Sequence, residues 1–222
     1  MTKLLSTLIA FAIIGMASLS AQNTVSYSWE DGGTILGSFG NLTNPLNVTA
    51  GTWNAQNISP QDGSFMLQVE ESPISGTPQA YIAAVTGLTD GDQVTASFYG
   101  WSHVDGGSPS MRIWGHYATS ADILGYSGSA SGNSTFTAGE GVWSQVSHTW
   151  TFDSDTGNRD ALIIEARLYS VDDGNPMVFW VDNLSVTAPG GATILTPVPE
   201  PSTYAAILGL IGLAFVAYRR RK

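Results

Sequence analysis

The chain of 222 residues has no cysteine, which excludes disulfides, thiolate zinc sites and cysteine nucleophiles. Charge is scarce at 12%, and positive charge scarcest, with eight Lys and Arg against 18 Asp and Glu. Five of the eight bases lie at the ends: Lys3, Arg219, Arg220, Arg221 and Lys222. Between Gln22 and Thr196 only Arg112, Arg159 and Arg167 stand against 17 acids. Such a surface repels phosphate backbones and argues against a nucleic-acid partner. The body also lacks a helical hydrophobic period, an internal repeat and a His-Glu-x-x-His zinc helix. No Gly-x-Ser-x-Gly elbow occurs, because Gly125-Tyr126-Ser127-Gly128 closes one residue early. Asp153-Ser154-Asp155-Thr156-Gly157-Asn158 places its glycine one position early for a calcium loop and lacks the closing Glu, so it reads as a solvated turn.

What is abundant fits short strands. Hydrophobic residues make up 43% and aromatics 10%, with seven Trp and 25 Gly. Period-two alternation puts Val94, Ala96, Phe98 and Gly100 on one face, and Val146, His148, Trp150 and Phe152 on another. Leu162, Ile164, Ala166 and Leu168 form a third such face, and Val178, Trp180, Leu184 and Val186 a fourth. Turn signals at Asp90-Gly91-Asp92, Asp105-Gly106-Gly107 and Asp172–Pro176 separate them, and 126–141 reads as a long loop. The expected fold is all-β: an antiparallel β-sandwich, in jelly-roll form, over 22–188, followed by a linker over 189–198.

The ends read as targeting segments. Lys3, the apolar run Leu4–Ala17 and the small residues to Ala21 have the order of a secretory signal peptide over 1–21. At the other end, Val198-Pro199-Glu200-Pro201-Ser202 precedes the apolar stretch Tyr204–Tyr218 and the basic tail Arg219–Lys222. Fifteen helical residues rise about 22 Å, a short transmembrane helix over 204–218 whose basic end stays cytoplasmic. This three-part order over 199–222 resembles a PEP-CTERM sorting signal, sometimes labelled an ice-binding protein C-terminal domain. The resemblance implies an exosortase as processing partner, acting at Pro199, Glu200 and Pro201. It implies an exported protein held in the membrane by its C-terminus, then placed at the cell surface or in the extracellular matrix. An ordinary retained anchor is the other reading.

The body resembles galactose-binding-like sandwiches and carbohydrate-binding modules. The resemblance rests on Trp29-Glu30-Asp31-Gly32, Asp62–Leu67, Val85–Asp92, Trp143–Val146 and the last strand Val178–Val186. It implies a structural calcium ion flanked by Glu30 and Asp182, with Asp62 as a looser ligand. Independently, Asp182 shares parity with apolar residues, and an inward carboxylate needs a cation, an Arg or several backbone donors. Calcium suits a carboxylate and carbonyl set, and capping of backbone groups near a strand bulge is the alternative.

Away from the core faces lie Tyr99 and Trp101, then Arg112, Trp114 and His116, then Glu165, Arg167 and Tyr169. If their strands adjoin, one sheet presents aromatics, charges and a His, a combination that stacks on sugar rings and fixes hydroxyls. The expected function is a non-catalytic, glycan-binding surface or matrix protein with exopolysaccharide as partner. The alternatives are a structural or adhesive matrix protein, whose aromatics form a second mini-core under loops, and a glycosidase-like enzyme with facing carboxylates.

Overall fold

The computed structural model describes residues 21–53, 55–101, 110–137, 141–170 and 177–197. The leader before Ala21, Pro199-Glu200-Pro201, the apolar stretch 204–218 and the basic tail lie outside the described residues.

All described regular structure is strand. In chain order the first strands are β1 (Gln22–Tyr27), β2 (Gly37–Phe39), β3 (Leu42–Val48), β4 (Gly51–Trp53) and β5 (Gln56–Ile58). Next come β6 (Met66–Glu71), β7 (Gln79–Thr86), β8 (Gln93–Trp101), β9 (Ser110–Ala118) and β10 (Ser129–Gly132). The last four are β11 (Ser144–Thr151), β12 (Ala161–Tyr169), β13 (Met177–Pro189) and β14 (Thr193–Leu195). One six-stranded sheet runs β11-β8-β13-β6-β3, with β1 also on β13; the other runs β10-β9-β12-β7-β14, with β2 also on β7. Every pairing is antiparallel, and β4 and β5 form a separate hairpin. The protein is an all-β antiparallel sandwich.

The core lies between the sheets and is filled from the alternating faces: Val94, Ala96 and Phe98 from β8, and Leu162, Ile164, Ala166 and Leu168 from β12. Each such side chain withdraws its apolar area from water, worth about 1.5–3 kcal/mol for a Leu or Phe. On β9 the same alternation turns Met111 and Ile113 inward, and Arg112, Trp114 and His116 away from the core.

Strand β13 departs from simple alternation. Its register shifts between Asp182 and Ser185, where Asn183 takes φ +48°, a conformation Asn tolerates better than most residues. The bulge changes which face later residues occupy. Phe179, Val181, Leu184 and Val186 therefore all enter the main core, while Trp180 joins a separate cluster. The expected face Val178, Trp180, Leu184, Val186 is thus split between the two sides.

The segment 189–198 is expected as a linker, and its described part, 189–197, is built into the sandwich. Strand β13 extends to Pro189, β14 pairs with β7 through Thr193↔Thr86, and Ala192 is buried. The Tyr27 hydroxyl lies 3.1 Å from the Pro197 carbonyl oxygen and 2.7 Å from Asp31 Oδ1. Gly33 permits that approach, since a Cβ there would stand 1.5 Å from the same carbonyl. Likewise 126–141 is not all loop, because β10 pairs with β9.

Candidate glycan-binding face

Two rows of side chains cross the outer face of the second sheet. Pairing aligns Arg112 with Arg167, Arg167 with Gln79, and Gln79 with Phe39. Two residues along each strand, Trp114 aligns with Glu165, Glu165 with Tyr81, and Tyr81 with Gly37. Six of the eight residues expected to touch sugar are here: Arg112, Trp114, His116, Glu165, Arg167 and Tyr169.

Glu165 organises the face. It is 0% exposed, and Oε1 lies 2.6 Å from His116 Nδ1 while Oε2 accepts from Arg167 Nη2 at 3.1 Å. With its amide oxygen turned toward Arg167, Gln79 accepts from Nη2 at 3.0 Å and donates to Glu165 Oε1 at 3.3 Å. An ionised Glu165 requires the His116 proton on Nδ1, and Nε2 is buried without a partner. The Tyr81 ring packs 4.8 Å from His116; burial, then the Glu165 charge, raises its phenol above the usual value, so it remains a hydrogen-bond donor at neutral pH.

Aromatic stacking holds the cations. Arg167 Cζ lies 4.6 Å from the Trp114 ring centre, and Trp114 Nε1 donates to Ser129 Oγ at 3.2 Å. Arg112 Cζ lies 3.5 Å from the Phe136 centre and 4.9 Å from that of Tyr169. Trp114 and Tyr169 thus support arginines instead of offering open platforms.

The open platforms are two residues that alternation did not single out. Phe39 is 63% exposed and Tyr126 71% exposed. With Gln79, Tyr81 and Arg167 they line a cleft of about 310 Å³, near the lower end of the range for small-ligand sites. Phe39 ends the three-residue strand β2 in Gly37-Ser38-Phe39-Gly40, too short for alternation to show, and Tyr126 lies in a loop. A large exposed aromatic inside a glycine-rich stretch is the one sequence signal that could have marked them.

Tyr99 and Trp101 are elsewhere. They belong to β8 in the opposite sheet, with Trp101 opposite Trp180 and Tyr99 opposite Asp182. Trp101 and Trp180 pack edge to face at 5.2 Å and cluster with Ile58, Met66 and the half-buried Trp53 of the β4–β5 hairpin. Parity gave their direction away from the core but not their sheet or what covers it.

Glu30, Asp62 and Asp182 do meet, around the turn 60–65. Asp182 Oδ2 accepts from Gln61 N at 2.8 Å and Asp62 N at 3.0 Å, and Oδ1 accepts from Asn183 N at 2.7 Å. Glu30 Oε1 accepts from Ser64 N and Phe65 N at 2.7 and 2.8 Å, and Asp62 Oδ2 accepts from the Ser28 hydroxyl at 3.1 Å. Converging N–H groups suit a carboxylate and occupy three of its lone-pair sites. Among the described residues no group of three acidic or His side chains is placed to hold a metal ion.

Comparison with known proteins bears on the end of the chain. Residues 197–222 match the PEP-CTERM protein-sorting motif. No curated protein matches the chain. Solved structures similar to it include carbohydrate-binding β-sandwich modules. The CBM22-1 xylan-binding domain of Paenibacillus barcinonensis Xyn10C is 12% identical, with 77% of this chain and 97% of that one covered and a TM-score of 0.45. The CBM22-1–GH10 modules of Clostridium thermocellum xylanase 10B, solved with xylohexaose, are 14% identical, with 75% and 28% covered and a TM-score of 0.45. The mannan-recognising module TmCBM27 is 17% identical, with 67% and 88% covered and a TM-score of 0.31.

Proposed function

We propose that this PEP-CTERM protein is exported and sorted to the cell surface by an exosortase, and that its sandwich is a non-catalytic glycan-binding domain. The carrying observation is the cleft between Phe39 and Tyr126, floored by Gln79 and Arg167, which are held by the buried Glu165 network. Flat rings stack on the C–H faces of pyranoses, and fixed amide and guanidinium groups bind hydroxyls. Among the described residues no carboxylate lines the cleft. On this reading Glu30, Asp62 and Asp182 clamp a turn, and calcium is not needed.

A matrix role without a defined ligand is the second reading, favoured by the burial of Trp101 and Trp180 under a hairpin. Affinity electrophoresis of the purified protein through gels containing a panel of polysaccharides separates the two. Retardation by at least one polymer is expected, weakened about fivefold in Tyr126→Ala, as loss of one stacking ring worth ~1 kcal/mol implies. Unretarded migration of folded protein through every gel would leave the matrix reading.

A further inference from the structure

Arg112 and Arg167 stand directly opposite each other on neighbouring strands, both turned away from the core. Like charges in that position destabilise a sheet, and the domain has many acids that could have intervened. Arg159 shows the ordinary solution, with Nη2 2.7 Å from Asp153 Oδ2. Arg167 instead shares Glu165 with His116. Arg112 has no carboxylate within ion-pair distance among the described residues. The Nε atoms of both arginines are buried without an acceptor.

Phe136 and Tyr169, themselves packed edge to face at 5.1 Å, hold the Arg112 guanidinium with Cζ 3.5 and 4.9 Å from their ring centres. The N–H edge of a guanidinium matches a carboxylate or sulfate in a two-pronged contact, and Arg112 Nε is buried without an acceptor. The described carboxylates beside the other ends of β9 and β12, Asp122 and Asp160, are roughly 20 Å away along the strands, well past a Debye length of about 8 Å. Glu71 is buried and bonded to Ser75 N and the Ser170 hydroxyl. Among the described residues the row is therefore locally positive on an acidic protein.

We infer that the cleft and the Arg112 guanidinium beside it take an anionic glycan, a polysaccharide whose carboxylate or sulfate groups are received by Arg112 and Arg167. The inference rests on the glycan-binding reading and names its ligand class. The stacking rings take the sugar faces, and the guanidinium edges take the charge. Because the protein carries a net charge of −10, indiscriminate adhesion to polyanions is disfavoured, so retention by one reports a local site.

The test is affinity electrophoresis of the full chain in non-ionic detergent. Gels contain polygalacturonate, alginate or glucuronoxylan, each beside its carboxyl-reduced form, and dextran sulfate beside dextran. Expected is at least tenfold stronger retention by one anionic polymer than by its neutral counterpart. Success with a uronate polymer assigns the carboxylate, and success with dextran sulfate alone assigns the sulfate. Arg112→Gln should erase the preference, and Arg112→Lys, which keeps the charge but not the fork, should keep part of it with an unchanged melting temperature. Equal or stronger retention by neutral forms overturns this inference and leaves the glycan reading standing. A preference that survives Arg112→Gln in folded protein overturns the assignment to this row. Retention by no polymer, charged or neutral, removes both readings.

Discussion

Replacing Glu165 with alanine is expected to destabilise the domain by about 3–5 kcal/mol, the usual effect of removing one partner from a buried ion pair. The carboxylate is 0% exposed and answers three side chains: His116, Arg167 and Gln79. Without it Arg167 faces Arg112 uncompensated, and the His116 Nδ1 proton loses its acceptor. Glu165→Gln keeps the volume but can accept from only one oxygen, so its amide N–H₂ confronts either His116 or Arg167. A smaller loss of about 1–3 kcal/mol is expected there, with weakened glycan retention in protein that still folds. Urea unfolding with an unchanged slope is the check. An alanine variant within 1 kcal/mol of the parent would mean that Glu165 is not the organising group.

Asp182 should give the domain a distinctive pH dependence. Burial outweighs its three backbone N–H bonds and pushes its carboxyl up to about 6, above the unfolded value of about 3.9. A raised carboxyl binds protons more readily in the folded state. Its contribution is therefore fully present below about pH 4 and is lost as pH rises through about 6, by about 3 kcal/mol at most. Asn cannot titrate, so the stability difference between the parent and Asp182→Asn should shift by up to that amount between pH 4 and 7. Urea unfolding across this range measures it, with EDTA and again with millimolar calcium. A pH-independent difference would contradict the account. Stabilisation by calcium, lost in Asp182→Asn and Glu30→Gln, would make the turn clamp a metal site.

How much of this was legible depends on which forces the sequence records locally. Alternation is written into each strand, so the inward faces of β8, β11 and β12 and the outward set Arg112, Trp114, His116, Glu165, Arg167 and Tyr169 could be read directly. Sheet membership is set by long-range pairing, which alternation does not encode. That is why Tyr99 and Trp101 were grouped with side chains on the far sheet. Asp182 was recognisable as a residue needing partners, but two of its three backbone N–H partners lie some 120 positions away, and the bulge at Asn183 breaks the parity that placed it with Leu184. Phe39 ends a strand of only three residues and Tyr126 lies in a loop, so neither offers a period to read. The C-terminal sorting motif was fully legible, because it is a contiguous order of residue types.

The central claim is that glycan lies across the outer face of the β9-β12-β7 sheet. Hydroxyl-radical footprinting, with and without a polysaccharide that retards the protein, tests it most directly. The account predicts protection of Phe39 and Tyr126, while the exposed Leu46 and Val142 react as before. Protection of Leu46 or Val142 with Phe39 and Tyr126 unchanged would contradict it.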